Sequence, residues 1–485
     1  MLQMPVGDVE IEPGSILEWR MAATTSGGSG EPGQQRESTT YNQVKHFAAA
    51  QSARIANDTI STYVAGTFEI PGAVDRSALE SALLHFVRRH EVLRCTFQQL
   101  AGDLSCDVLE PDDVKLEAVD RGRVDSRTEL REFLGEFFQS VDTLSWPLIL
   151  MGAVLREEST TVFFACDHIV TDGLSTPIAI NDIATAYAAF ARDRRPELPE
   201  TGSYLAYSRE QRRRNESMDV EDGRLDHWKA FVARSGTFFP RFPLDLGVEP
   251  GRMYPTVNET GMLLASGEVE ALEARCRAVE GRLFMGLLAA VGVSLRKEGG
   301  PEVYRGFMPV SERDRGPYAH TMGWFVNTMP IEFSVAEVAE GTEVAEGTEG
   351  TETQGGRAFT KVLDNVRFAA TEMRRNTTDV PFVKAWHLLA PAEHADLRHW
   401  PYAVNFFSYL DFRKSPGSQH HAARKATTHV WASRSNGISF WFHRNDAGLY
   451  VNSISVDTPQ ARHTRSALRR TLTRTLESMA RSGTF

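Results

Sequence analysis

The chain has 485 residues, of which 41% are hydrophobic and 24% charged, a composition typical of a globular protein long enough for two domains. Lys and Arg total 53 against 64 Asp and Glu, and a net charge of −11 without a basic stripe disfavours binding to nucleic acid or an anionic membrane. No apolar run approaches the ~20 residues of a membrane span, and four scattered cysteines indicate neither a zinc site nor a disulfide framework. We therefore expect a cytoplasmic, monomeric protein without a bound metal.

The first part of the chain alternates between strand and helix patterns. Pro13–Trp19 is a strand candidate, Tyr41–Ser52 favours a helix, and the alternation in Ser61–Ile70 predicts a half-buried strand. Asp75 then precedes a helical stretch with one apolar stripe, and its short carboxylate is a preferred N-cap. These elements predict a mixed α/β (α+β) fold without the regular βαβ order of a doubly wound sheet.

A hairpin followed by a helix is predicted further along. Leu148–Leu155 and Thr160–Cys166 are rich in apolar and β-branched residues, and the polar turn Arg156–Ser159 between them predicts an antiparallel pair. Ser175 or Thr176, placed just before a proline, predicts the N-cap of a helix, because a hydroxyl caps well and proline is tolerated in the first turn.

The domain boundary is predicted in the polar, charge-rich segment Arg192–Asp222. We place an N-terminal domain at residues 1–200 and a C-terminal domain at 201–485. Within the second domain, residues 338–356 contain the hexapeptide VAEGTE twice in tandem, which indicates a flexible acidic insert at the surface. Strand candidates follow, and the last helix is predicted to start at Asp457 or Thr458.

His168 is the strongest chemical candidate, because it stands where a buried strand passes into a loop and a helix. An imidazole there suits a general base that removes a proton from a hydroxyl or amine. Asp172 is expected to hold the loop by pairing with a cation or with backbone N–H groups. Gly173 is expected to supply a positive φ or a close backbone approach. The common dinucleotide, P-loop, nucleophile-elbow and zinc-protease motifs do not occur in the sequence.

The segment Cys166–Gly173 resembles the His-His-x-x-x-Asp-Gly signature of the condensation domains of nonribosomal peptide synthetases and the His-x-x-x-Asp of the wider chloramphenicol acetyltransferase superfamily. Further segments resemble other motifs of these domains in the same order: Arg88–Phe97, Trp146–Leu148, Leu225–Trp228 with Phe242–Asp245, and Gly323–Ile331. The opening Pro13–Trp19 and the stretch Thr321–Ile331 look closest to the stand-alone polyketide-associated acyltransferases of actinobacteria.

This resemblance implies two acetyltransferase-like lobes, each a mixed sheet with flanking helices, in a V shape with a central tunnel. His168 matches the family's base, Asp172 its structural aspartate, and Arg94 the arginine that pairs with that aspartate. The implied reaction moves an acyl group from a phosphopantetheine thioester to a small-molecule hydroxyl or amine. The donor is either an acyl or peptidyl carrier protein or coenzyme A, and no cofactor is bound. Oxyanion stabilisation is required, and the candidates are Asn405, Ser408 and Ser433.

One departure from the family pattern leaves alternatives open. Asp167 stands where condensation domains carry their first histidine, which favours ester formation over peptide-bond formation. Together with Asp172 and Ser175 it also fits the Asp-x4-Asp-x-x-Ser signature of heterocyclization domains, and epimerization domains share the His-x-x-x-Asp-Gly signature. A further alternative is a catalytically inactive, condensation-like module that recruits a partner to a carrier protein.

Overall fold

A computed structural model describes residues 1–24, 37–56, 62–100, 103–337, 354–376, 380–394 and 400–485. The chain divides into two compact units. Unit 1 comprises Met1–Ser217, Ser311–Val326 and Phe412–Ser433. Unit 2 comprises Met218–Val310, Asn327–Asp411 and Arg434–Phe485.

The strands are, in chain order, β1 (Leu2–Gln3), β2 (Ser15–Ala23), β3 (Glu37–Ser38), β4 (Thr62–Pro71), β5 (Cys95–Leu100), β6 (Asp103–Val108), β7 (Val114–Arg123), β8 (Ile149–Leu155), β9 (Ser159–Asp167), β10 (Tyr254–Ala265), β11 (Val303–Ser311), β12 (Val326–Ser334), β13 (Phe407–Asp411), β14 (Thr427–Ala432), β15 (Arg434–Ser435), β16 (Ile438–Arg444) and β17 (Gly448–Val456).

The helices are α1 (Tyr41–Ile55), α2 (Arg76–Arg89), α3 (Arg127–Gln139), α4 (Ser175–Phe190), α5 (Tyr204–Asn215), α6 (Asp226–Ser235), α7 (Ser266–Ala278), α8 (Leu283–Lys297), α9 (Gln354–Asn376), α10 (Phe382–Leu389) and α11 (Pro459–Ser482). The sequence predictions for α1, for the Asp75 cap of α2 and for the Thr458 cap of α11 are confirmed. Strands and helices are mixed in both units, which confirms the predicted fold class.

Unit 1 is built on a seven-stranded sheet with the order β1-β14-β4-β9-β8-β2-β7. The predicted hairpin is confirmed, because β8 and β9 pair antiparallel and the turn closes between Arg156 N and Ser159 O. The prediction that β4 is half-buried is wrong: its residues from Tyr63 to Phe68 are buried on both sides of the strand. Helices α3 and α4 both contact β4, and it lies between two neighbouring strands.

Unit 2 contains a five-stranded sheet with the order β13-β16-β17-β10-β15 and the separate pair β11-β12. Helix α8 is buried along almost its whole length, as its apolar sequence predicts. Among the described residues no single helix is long and apolar enough to cross a membrane; α7 and α8 reach that length only together, and they meet at 96°.

The domain boundaries are less simple than the predicted division at residue 200. Unit 1 continues to Ser217 and takes back two later segments, because β14 pairs with β4 and residues 311–326 contact the loop that follows β9. Of the predicted insert at 338–356, residues 338–353 lie outside the described residues, and 354–356 belong to α9.

Candidate active site

The loop that carries His168 starts at the end of β9. Asp167 ends the strand, and its carboxylate accepts a hydrogen bond from the backbone N–H of Ile169 at 2.8 Å, which caps a short 3-10 turn over His168–Val170. Helix α1 braces the same turn, because the side-chain amide of Gln43 donates to the carbonyl oxygen of Ile169 at 3.0 Å. The turn that carries His168 is therefore held at Ile169 from two sides.

Asp172 organises the next part of the loop from a buried position, with 2% of its surface exposed. Its Oδ1 accepts from the backbone N–H groups of Leu174 and Ser175 at 3.1 and 2.9 Å, and from the hydroxyl of Ser175 at 2.9 Å. Its Oδ2 accepts from the backbone N–H of Phe325 at 3.0 Å. The side chain thus joins the start of α4 to residues 311–326, so it holds the loop in shape, as the sequence predicts.

The cation that pairs with Asp172 is Arg313, at 2.8 Å between Nη2 and Oδ1, and the predicted pairing with Arg94 is wrong. Arg94 is also buried, but its guanidinium donates to the carbonyl oxygen of Leu109. Arg313 reaches the loop because residues 311–326 fold back into unit 1. Its guanidinium also donates to the hydroxyl of Ser175 at 3.1 Å.

The predicted N-cap of α4 is wrong, and so is a positive φ at Gly173, because the Asp172 carboxylate shapes this turn. The N-cap residue of α4 is Leu174, which makes no side-chain cap, and neither Ser175 nor Thr176 caps the helix, because both lie inside it. Gly173 lies in the turn and is not among the positive-φ glycines of the described chain. The Asp172 carboxylate closes the turn in an ordinary backbone conformation.

The imidazole of His168 packs against the indole of Trp324, with 4.1 Å between ring centres. His168 is partly exposed, yet its Nδ1 is buried and, within the described chain, bonds to no other residue. Nε2 is therefore the ring nitrogen that a substrate can reach. Burial, and then the charge of His46, lower the pKa of His168 to about 4, against the smaller opposing effects of Asp167 and Asp172. The ring is consequently neutral at physiological pH, with a free lone pair.

Asp167 is 1% exposed and serves neighbouring side chains. Its Oδ1 contacts Nε2 of His46 at 3.0 Å, and its Oδ2 accepts from the hydroxyl of Thr143 at 2.6 Å. Burial opposes ionisation of Asp167, but His46, Thr143 and the Ile169 N–H outweigh it and lower the pKa of the carboxyl group. Asp167 is thus a buried anion with all its partners inside unit 1.

The three oxyanion candidates are divided between the two units. Asn405 and Ser408 belong to unit 2, where the Asn405 amide donates to the carbonyl oxygen of Arg305 at 2.7 Å and Ser408 is buried in β13. Ser433 is in unit 1, at the residue after β14. Within the described ranges, no group of three or more His, Cys, Asp or Glu side chains is arranged to hold a metal ion.

Three residues of the site are missing from the sequence prediction. Arg313 and Trp324 lie in the segment 311–326 that returns to unit 1, and His46 lies in α1. Only Trp324 had a signal in the sequence, since it falls within the segment Gly323–Ile331, which resembles a motif of the family. The positions of Arg313 and His46 depend on contacts between distant parts of the chain.

Comparisons with known proteins identify the family of the chain. The profile of the family described as Condensation domain matches residues 53–394. The acyltransferase PapA3 of Mycobacterium tuberculosis is 26% identical over 331 residues, 68% of this chain and 69% of that protein. The trehalose-2-sulfate acyltransferase PapA2 of Mycobacterium bovis is 23% identical over 333 residues, 67% of this chain and 69% of that protein.

Solved structures with the same fold include a PapA2 acyl transferase, with a TM-score of 0.84 at 20% identity over 99% of this chain and 100% of that one. The X-domain from teicoplanin biosynthesis has a TM-score of 0.70 at 19% identity over 94% and 97% of the two chains. The chain therefore belongs to the condensation-domain family, and it is an acyltransferase of the condensation-domain type that acts in lipid or natural-product biosynthesis.

Proposed function

We propose that this protein moves an acyl group from a phosphopantetheine thioester to a hydroxyl group and so forms an ester. The observation that carries the proposal is the neutral imidazole of His168, whose Nδ1 is buried and whose Nε2 is left for a substrate. A neutral imidazole held at a fixed position can accept the proton that general-base catalysis of acyl transfer removes. The loop holds it without using either nitrogen in a structural hydrogen bond to another described residue.

The reaction proceeds in two steps. Nε2 of His168 takes the proton of the acceptor hydroxyl as its oxygen attacks the thioester carbonyl carbon, and the carbonyl electron pair moves to oxygen. The tetrahedral intermediate then collapses, the C–S bond breaks, and the imidazolium returns the proton to the leaving thiolate. The products are an ester and a free thiol, and the pantetheine arm is part of the donor substrate.

A carbohydrate hydroxyl is the first acceptor to test, because the relative PapA2 is named a trehalose-2-sulfate acyltransferase. An amine acceptor, which gives an amide, is the second. The donor thioester is carried by an acyl or peptidyl carrier protein or by coenzyme A, and separate assays with each distinguish the two.

Heterocyclization is disfavoured by the same geometry. The signature residues Asp167, Asp172 and Ser175 are buried and hydrogen-bonded to neighbouring groups of unit 1, so none of them is free to act on a substrate. An inactive binding module is disfavoured because Nδ1 of His168 makes no hydrogen bond to another described residue, so the ring does not link separate segments of the fold.

The test is a turnover assay with the purified chain. Palmitoyl-coenzyme A or a palmitoylated carrier protein is offered with trehalose, an amino-sugar or cysteine, and both the released thiol and the product mass are measured. The proposal predicts an acyl ester and one thiol per ester. A product lighter by one water indicates heterocyclization, an amide as the preferred product contradicts ester formation, and no turnover with any pair contradicts the proposal.

A further inference from the structure

The imidazole of His46 is held beside His168 by the carboxylate of Asp167, which also caps the turn that carries His168. Asp167 is buried and ionised, and its Oδ1 contacts Nε2 of His46 at 3.0 Å. The hydroxyl of Thr143 and the N–H of Ile169 saturate the rest of the carboxylate. A carboxylate that accepts from one nitrogen of a histidine fixes both the orientation of the ring and the position of its proton.

His46 and His168 lie beside the same indole. The His46 ring is 5.7 Å from that of Trp324 in an edge contact and 6.1 Å from that of His168. The side chain of His46 is 14% exposed, whereas that of Asp167 is 2% exposed. The carboxylate is therefore closed off from solvent, and the imidazole it orients is not.

The second ring nitrogen of His46, Nδ1, indicates what this side chain can bind. Across the ranges that the structure describes, no donor or acceptor contacts its Nδ1. A histidine that only joins α1 to β9 needs one nitrogen, and a neutral amide could make the same bond. Burying an ionised aspartate to make such a contact costs desolvation free energy. An oriented imidazole with a free nitrogen beside a catalytic base instead suits the binding of a substrate hydroxyl.

We propose that His46 is an acceptor-binding residue, whose Nδ1 hydrogen-bonds to a hydroxyl of the acceptor and so presents the attacking oxygen to His168. Hydrogen bonds of about 2.8 Å and a separation of 6.1 Å between the ring centres suit one oxygen shared by both rings or two neighbouring hydroxyls, one for each ring. The arrangement with two neighbouring hydroxyls occurs in a polyhydroxyl compound such as a sugar, which is the acceptor class we infer. This inference rests on the proposed function, and Asp167 is a positioning residue that acts through His46.

The experiment separates acceptor binding from general damage by comparing transfer with hydrolysis. Palmitoyl-coenzyme A is incubated with trehalose, and the ester and free palmitate are measured for the wild-type chain and for His46→Ala, Asp167→Asn and His168→Ala. His85→Ala is the matched control, because His85 is also a partly exposed histidine on a helix of unit 1, and it packs against Phe190 away from this cluster.

Loss of one hydrogen bond to the acceptor is worth about a tenfold effect. We expect His46→Ala to raise the KM for trehalose and lower the ratio of ester to palmitate by about that factor. The KM for palmitoyl-coenzyme A and the rate of hydrolysis should change less than threefold. Asp167→Asn should show the same pattern more weakly, and His85→Ala should match the wild type.

Equal losses of transfer and hydrolysis in His46→Ala, or an unchanged KM for trehalose, overturn the inference. If His168→Ala abolishes both reactions while His46→Ala changes neither, the proposed function stands and only the role of His46 fails. If His168→Ala changes neither reaction, or the wild-type chain turns over no thioester, the proposed function fails and the role of His46 fails with it.

Discussion

Asp172 and Arg313 form a buried ion pair, with side chains only 2% and 7% exposed. Removing both charges from water is costly, so such a pair adds little net stability compared with apolar side chains. The guanidinium nevertheless fixes the carboxylate that closes the catalytic loop, and it also donates to the carbonyl oxygen of Tyr318 at 2.9 Å. The pair therefore acts by fixing the geometry of the catalytic loop. Loss of the guanidinium alone leaves the Asp172 carboxylate as a buried charge without a partner.

Replacing Arg313 by methionine should destabilise the protein by about 3–5 kcal/mol, because Asp172 then remains as an unpaired buried anion. Urea unfolding monitored by circular dichroism measures this change. Arg209→Met is the control, because the Arg209–Glu37 pair is largely exposed and exposed pairs contribute at most about 1 kcal/mol. Equal effects of the two substitutions would show that the Asp172 pair is not the buried anchor described above.

At the scale of elements, the sequence predicts the structural features that depend on residues close together in the chain. The hairpin β8–β9, the Asp75 cap of α2 and the Thr458 cap of α11 depend on neighbouring residues, and the sequence predicts all three. Strand β14 is not predicted, because it is defined by its pairing with β4, more than 350 residues earlier in the chain. The predicted pairing of Asp172 with Arg94 fails for the same reason, since the guanidinium partner, Arg313, is set by long-range folding.

Close packing between β4, β9 and α4 gives a prediction at this scale. A Cβ atom at Gly66 in β4 would lie 2.6 Å from Cζ of Phe164 and 2.9 Å from Cγ2 of Thr176. Gly66→Ala should therefore destabilise the protein by about 1–3 kcal/mol. The matched control Gly135→Ala lies in helix α3, where the nearest atom is 3.9 Å away, and should stabilise it by about 0.5–1 kcal/mol.

Thermal unfolding of the two alanine variants beside the wild type measures both changes. Opposite shifts of the melting temperature are expected. A Gly66→Ala variant as stable as the wild type would mean that the sheet and α4 are packed less closely than described.

At the scale of the whole molecule, the sequence predicts two units of mixed strands and helices, and the structure adds how the chain is shared between them. A single cut in the sequence cannot represent unit 1, because segments 311–326 and 412–433 return to it. The residues of the candidate site also fall into two groups, those close together in the sequence and those that folding brings together. His168, Asp167 and Asp172 are contiguous in sequence and were found from it, whereas His46, Arg313 and Trp324 come from distant segments of unit 1.

Several buried or partly buried histidines are neutral in the folded chain, which makes the stability of the whole molecule depend on pH. Burial lowers the pKa of His168, His421 and His429 to about 4 and that of His443 to about 3. Their pKa in the unfolded chain is about 6.5. Between these values the unfolded chain binds more protons than the folded one, so stability falls as the pH is lowered.

We therefore expect the melting temperature to be nearly constant above pH 7 as far as these histidines are concerned, and to fall steadily from about pH 6.5 towards pH 4. Differential scanning fluorimetry across this range measures the change. His429→Gln, which removes one such group, should flatten the slope. A melting temperature that rises as the pH is lowered through this window would contradict the burial of these neutral rings.

The central claim is that His168 is the base for acyl transfer, and the single-turnover rate of His168→Ala tests it most directly. With palmitoyl-coenzyme A and trehalose at saturation, we expect ester formation to fall by about 10²–10⁴-fold, while the melting temperature stays close to that of the wild type. Ester formation within a few-fold of the wild-type rate in a folded His168→Ala protein would contradict the account.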